Sequence, residues 1–181
     1  LLTIEAGTEI KSKEGALIIE GRLDAQGDNE HIINFDTFTE GKLWPGIVFS
    51  NVKDKGNSIK FVRVKNALTA VDCQASSPTV EMSEFTQNNE VLKIQGAFSK
   101  PVIAKNSIYK NKGVALLIVD GASPLIKENS IQDNENTGLV VQSAAPEFVQ
   151  NSLSRNNNNG IVVKGTGHIA ENIIRLIINN V

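Results

Sequence analysis

The residues of this chain that could do chemistry are few and dispersed. Asp120, Asp133 and Glu135 are three carboxylates set among asparagines, and carboxylate and amide oxygens are the hard ligands that calcium takes. Paired carboxylates also serve as acid and base in glycoside hydrolysis, provided they sit ~5–9.5 Å apart. Lys110, Asp133 and Arg155 alternate in sign at steps of 23 and 22 residues. The simpler reading of that trio is a surface ion-pair ladder worth at most ~1 kcal/mol per pair. Trp44 and Tyr109 are the single Trp and the single Tyr, the rings on which a sugar would stack; Trp44 also suits packing of the N-terminal part. His31 and His168, the two histidines, lie far apart in sequence, and neither is paired with a nucleophile and an acid. The lone Cys73 allows neither an intramolecular disulfide nor a cysteine-based zinc site, and with one Met a soft-metal site is poorly supplied.

Whether any of these side chains meet depends on the elements that carry them, and those follow from a repeat. Pro78, Pro101, Pro124 and Pro146 stand 23, 23 and 22 residues apart. Each opens a similar phrase: PTVEMSEFTQN, PVIAKNSIYKN, PLIKENSIQDN, PEFVQNSLSRN; a fifth, GHIAENIIRL, starts at Gly167 without the proline. Stacking the phrases gives an apolar column Val80, Ile103, Ile126, Phe148, Ile169 and a second one Phe85, Ile108, Ile131, Leu153, Ile174. A third reads Ile94, Val119, Val141, Val163, after Gly113, Gly138 and Gly160. One asparagine column is Asn106, Asn129, Asn151, Asn172, with Ser83 in the first copy; another is Asn88, Asn111, Asn134, Asn156.

Each unit thus carries three short, β-branched apolar runs divided by Asn, Gly, Ser and Pro. The runs are too short for helices and alternate with period two. One unit alone cannot bury its apolar residues, but stacked units can, like above like. The repeat predicts an all-β, three-sheet parallel solenoid of about eight coils of ~22 residues, a rod of roughly 40 Å at ~4.8 Å per coil. Leucine-rich repeats need a denser leucine consensus, and propeller blades are about twice as long. Asparagine belongs at the corners because it tolerates left-handed backbone and can pair with its equivalent one coil away.

Residues 1–66 keep a looser phase and read as irregular opening coils; 67–181 carry the regular repeats, and no linker divides them, so 1–181 is expected to be one domain. With 18 Lys+Arg against 20 Asp+Glu, interspersed, the chain is no electrostatic nucleic-acid binder. No apolar run approaches the ~20 residues of a membrane span.

The phrase P-x-I-x-x-N-x-I-x-x-N over 78–174 resembles the right-handed parallel β-helix repeat of the pectate-lyase-like superfold. Gly21-x-Leu23-x-Ala25-x-Gly27, Ile33/Phe35 and Trp44-x-Gly46-Ile47-x-Phe49 are similar to the opening coils of its bacterial secreted members. The resemblance implies export to the periplasm or cell surface. It also implies two classes of activity: a non-catalytic scaffold or interaction module holding glycan or envelope partners, or a polysaccharide lyase or glycoside hydrolase. Lyases of this kind use clustered Asp/Glu for calcium with an Arg or Lys base. The polar column after the third run reads Asp72, Gln95, Asp120, Gln142, Lys164, and the one before the asparagines Met82, Lys105, Glu128, Gln150, Glu171. Neither holds two adjacent acids, so no catalytic residue is assigned and the non-catalytic module leads. No cofactor is expected; calcium at Asp120 and Asp133 and glycan at Trp44 and Tyr109 are the sites to examine. The family's usual end caps are not evident, so a fragment, or a partner protein or stacked copy at the rod's ends, is expected.

Overall fold

A run such as Val102-Ile103-Ala104 has one inward side chain to bury and nothing within its own unit to bury it against. The structure, a computed structural model describing residues 1–53 and 56–175, solves this by winding the chain into a parallel β-solenoid. In one coil, strand Val102–Ala104 lies in the first sheet, Ser107–Tyr109 in the second and Leu116–Val119 in the third. The same three-strand cycle runs from Leu2–Glu5 to Ile173–Arg175, giving sheets of eight, eight and seven parallel strands. That is seven complete coils and two strands of an eighth. Among the described residues there is no helix long and apolar enough to cross a membrane.

The register follows the first two apolar columns residue for residue: Val80 pairs with Ile103, Ile103 with Ile126, Ile126 with Phe148 and Phe148 with Ile169. Phe85, Ile108, Ile131, Leu153 and Ile174 pair in the same way. All but the last coil's members are fully buried, each worth roughly 1.5–3 kcal/mol against exposure. Ile169 and Ile174 are 42% and 41% exposed, because no described coil covers them; the terminal expectation at 176–181 lies outside the described residues.

The third column is corrected by one residue. Ile118, not Val119, aligns with Ile94 and Val141. Val119 faces outward in register with Gln95 and Gln142. The polar column changes with it: Gln74, Gln95, Val119, Gln142 and Lys164 are neighbours, Asp72 lies beside Lys93, and Asp120 is past the strand end. A run apolar on both faces, such as Leu116–Val119, carries no period-two signal to fix its phase.

Both asparagine columns are hydrogen-bonded ladders. Asn106 Nδ2 donates to Asn129 Oδ1 at 3.0 Å, Asn129 to Asn151 at 2.9 Å and Asn151 to Asn172 at 3.1 Å. Asn88, Asn111, Asn134 and Asn156 are linked in the same way at 2.9–3.1 Å. Each buried amide also serves the corner backbone. Asn129 Oδ1 accepts from Asn106 N–H at 2.9 Å, while its Nδ2 donates to Ile103 O at 2.9 Å. Every one of these polar groups is therefore satisfied, which is what permits asparagine in the core.

The ladder asparagines are not themselves the left-handed residues expected at these corners. The left-handed residue of each corner is the one before the ladder: Lys105 (φ 57°), Glu128 (57°) and Gln150 (56°) on one edge, Lys110 (54°), Asp133 (56°) and Arg155 (52°) on the other. That residue turns the chain and points outward, leaving the asparagine to turn inward. A third, shorter ladder of serines lies at the remaining corner, where Val52 N–H donates to Ser76 Oγ at 2.8 Å and Ser76 N–H to Ser99 Oγ at 3.2 Å.

The second coil is longer at its corners, at 27–32 and 38–46, and the three sheets continue through it. Gly46 shows why a glycine follows Trp44-Pro45. Its φ is 109°, and a Cβ there would overlap the carbonyl oxygen of Thr69, so only glycine lets the two coils approach.

Candidate functional site

The outward residues of the second sheet are set by period two: they flank the buried Val64, Phe85 and Ile108. Arg63 pairs in register with Glu84, and Glu84 with Ser107. One position past the core, Lys65, Thr86 and Tyr109 form the parallel row. Four of these side chains, Arg63, Glu84, Ser107 and Tyr109, line a shallow depression of about 620 Å³, with Lys105 and Met82 from the adjoining corner on its border.

A single hydrogen-bonded unit crosses the floor. Arg63 Nε donates to Glu84 Oε2 at 2.6 Å, and the Tyr109 hydroxyl donates to Glu84 Oε1. Both carboxylate oxygens are thus engaged, by a charge-assisted bond and a phenol. The bond to Glu84, reinforced by partial burial and by that carboxylate's charge, holds the Tyr109 phenol above the usual tyrosine range. The hydroxyl is thereby fixed as a donor and the half-buried ring is held in one orientation. Lys110 Nζ lies 5.9 Å from the ring centroid, at the reach of a cation–π contact. The arrangement offers an immobilised aromatic face bordered by ammonium, guanidinium and hydroxyl donors. That suits the faces and hydroxyls of a sugar.

Of the residues singled out from sequence, Tyr109 lies at this depression and points outward. Trp44 does not, and as a stacking platform it is corrected: it is 1% exposed, its ring is stacked on Phe35 with centroids 6.3 Å apart, and its Nε1–H donates to Lys65 O at 2.8 Å. It packs the opening coils.

Asp120 and Asp133 are not brought together. Asp120 follows a third-sheet strand and Asp133 a second-sheet strand, so they occupy different corners of the coil. Asp133 is instead held by Arg155, whose Nε and Nη2 donate at 2.6 and 2.7 Å, and this fork keeps its carboxyl below the usual range. Among the described residues no three His, Cys, Asp or Glu side chains converge as a metal would require, so the pairing of Asp120 with Asp133 as a calcium site is also corrected. The ladder asparagines are buried structural groups. His168 sits in strand His168–Ala170 beside Glu147. Cys73 is buried in the third-sheet column between Phe49 and Ile94.

Arg63, Glu84, Lys105 and Ser107 were not assigned to a site from sequence. For Arg63, Glu84 and Ser107 the signal was available: the residues immediately before Val64, Phe85 and Ile108 form a row as regular as the core column itself.

Residues 37–175 match the protein family described as the right-handed beta helix region. Neither a curated protein nor a solved structure matches the chain significantly. The family match covers most of the chain and coincides with the stacked coils, the paired columns and the ladders: this protein belongs to the right-handed β-helix family.

Proposed function

We propose that this protein is a non-catalytic β-helix module that holds a glycan against the outer face of its second sheet, with Tyr109 as the platform. One observation carries the reading. The single carboxylate that lines the depression among the described residues, Glu84, has one oxygen occupied by Arg63 and the other by Tyr109. A general acid or base must exchange a proton with substrate; Glu84 is committed instead to orienting the ring. Rigid aromatic faces bordered by polar donors bind with little loss of conformational entropy. The resemblance to exported β-helix proteins supports a periplasmic or cell-surface location, where polysaccharides are met.

Affinity electrophoresis through gels containing soluble polysaccharides tests this. The protein should be retarded by at least one glycan, and Tyr109→Ala, on the surface and away from the core column, should abolish the retardation while the far-UV circular dichroism stays unchanged. If Tyr109→Ala is retarded as strongly as the parent on every glycan that binds, the platform is elsewhere and the reading fails.

A further inference from the structure

The depression floored by Arg63, Glu84 and Tyr109 has a second half, along the corner where the first sheet turns into the second. One left-handed residue makes the tight turn there. In four successive coils it is Lys105, Glu128, Gln150 and Glu171, at φ 55–57°. All four are polar or charged, as an outward turn residue can be. In the two coils before them it is Phe61 and Met82, both at φ 49°. The turn does not demand an apolar residue, and a bulky ring suits left-handed backbone poorly. Both side chains line the depression, and so does Ile32.

The apolar strip is held in place. Ile32 ends the long corner 27–32, which is tied to the turn at Phe61. Ile33 N–H donates to Phe61 O at 3.1 Å and Gly27 N–H to Lys60 O at 2.9 Å. Within the corner, Asp28 Oδ1 accepts from the N–H groups of Glu30 and His31 at 2.8 and 2.7 Å. Phe61 and Met82 stand one coil spacing apart, ~4.8 Å, a face for a small apolar group and not for a long chain. Contiguous apolar side chains beside an immobilised ring mark a contact surface.

The polar groups left over are chiefly donors. Both oxygens of Glu84 are engaged, and Arg63 spends its Nε on one of them. The Nη groups of Arg63 and the Lys105 ammonium remain at the depression. Lys105 also meets Glu128 at 3.6 Å, between half-exposed side chains, a pair that contributes little. Lys105 follows Met82 in the same corner column, so a donor adjoins the apolar strip. A substituent that accepts a hydrogen bond and carries a methyl group fits both, and on a sugar that is an acetyl group. We propose that the depression takes an acetylated sugar, its ring on Tyr109, its acetyl methyl on Phe61 and Met82, and its carbonyl oxygen accepting from Lys105 or Arg63. This rests on Tyr109 being a glycan platform and names the substituent that the glycan carries.

Calorimetric titration of the full chain tests this with two pairs of ligands. Chitohexaose against cellohexaose reads the N-acetyl amide. O-acetylated glucomannan against the same polymer after mild alkali reads the O-acetyl ester. In at least one pair the acetylated ligand should bind about tenfold more tightly, as one buried methyl and one charge-assisted hydrogen bond would give. Met82→Gln should erase that preference; it should fold, because Gln87 and Gln150 already occupy left-handed corners. Gln150→Ala, at the same corner beyond the depression, should keep the preference. The proposal is overturned if neither acetylated ligand binds, if both pairs bind alike, or if Met82→Gln keeps the preference. Tighter binding of polygalacturonate than of either acetylated ligand also overturns it, by making the cations a carboxylate site. Equal binding within the pairs that Tyr109→Ala abolishes would sink this inference alone and leave the platform standing. Binding of no glycan at all would sink both.

Discussion

At the scale of single residues, two networks decide what this chain can tolerate. Asn129 is 2% exposed and sits mid-ladder, with Asn106 donating to its Oδ1 and its own amide donating to Ile103 O, Lys127 O and Asn151 Oδ1. Removing it strands buried donors and acceptors on both neighbouring coils. Asn129→Ala is expected to cost about 3 kcal/mol, several unmade buried hydrogen bonds less partial relaxation, in urea unfolding. Asn158→Ala, in the exposed asparagine run 157–159 that follows the buried Asn156, should stay within about 0.5 kcal/mol. The second network is Arg63, Glu84 and Tyr109. The bond to Glu84 raises the Tyr109 pKa, so the neutral phenol is favoured in the folded state. Its stabilising contribution is complete below the ordinary tyrosine value of ~10 and is lost as pH climbs through the higher folded value. Ultraviolet titration reads this cleanly, because the chain has one tyrosine. The phenolate should appear above the ordinary range in the parent protein and move back toward it in Glu84→Gln.

At the scale of elements, the repeat was legible wherever one face of a strand was apolar and the other polar. Ile131 stands between Ser130 and Gln132, and Ile108 between Ser107 and Tyr109, and their column is the observed register; Ile103 and Ile126, beside Val102, Ala104 and Leu125, were placed by the repeat spacing instead. The third sheet was read one residue out at Val119, because Leu116-Leu117-Ile118-Val119 is apolar throughout and period two is silent there. The ladders were visible as columns, and the left-handed residue was misplaced onto them. Side-chain identity records which residue turns inward, whereas backbone conformation falls on the residue before it, where Lys, Glu, Gln, Asp and Arg all occur. The opening coils hold together by closer, less regular means. Gly46 is the sharpest case: Gly46→Ala would force the backbone of Thr69 away from its position and strain a left-handed φ. It should destabilise the protein by about 3 kcal/mol or more, read as a lowered thermal midpoint. Gly41→Ala, with open space around it at a φ of 72°, should cost only about 1 kcal/mol.

At the scale of the whole molecule, the rod divides its labour. The interior is three stacked apolar columns edged by amide and hydroxyl ladders. The outer faces are free to vary, because a coil's outward residues touch only solvent and one another. That freedom is why the site was less legible than the fold. Arg63, Glu84 and Tyr109 come from three successive coils and meet only through register. What most needs testing is that the second-sheet face binds glycan without cleaving it. The most direct measurement is to incubate the protein with each polysaccharide that retards it, calcium included, and follow chain length and unsaturated ends by size-exclusion chromatography with ultraviolet detection. Polymers of unchanged length should elute in complex with the protein, and free polymer with Tyr109→Ala. Shortened or unsaturated products formed by the parent protein would contradict it and make this rod an enzyme.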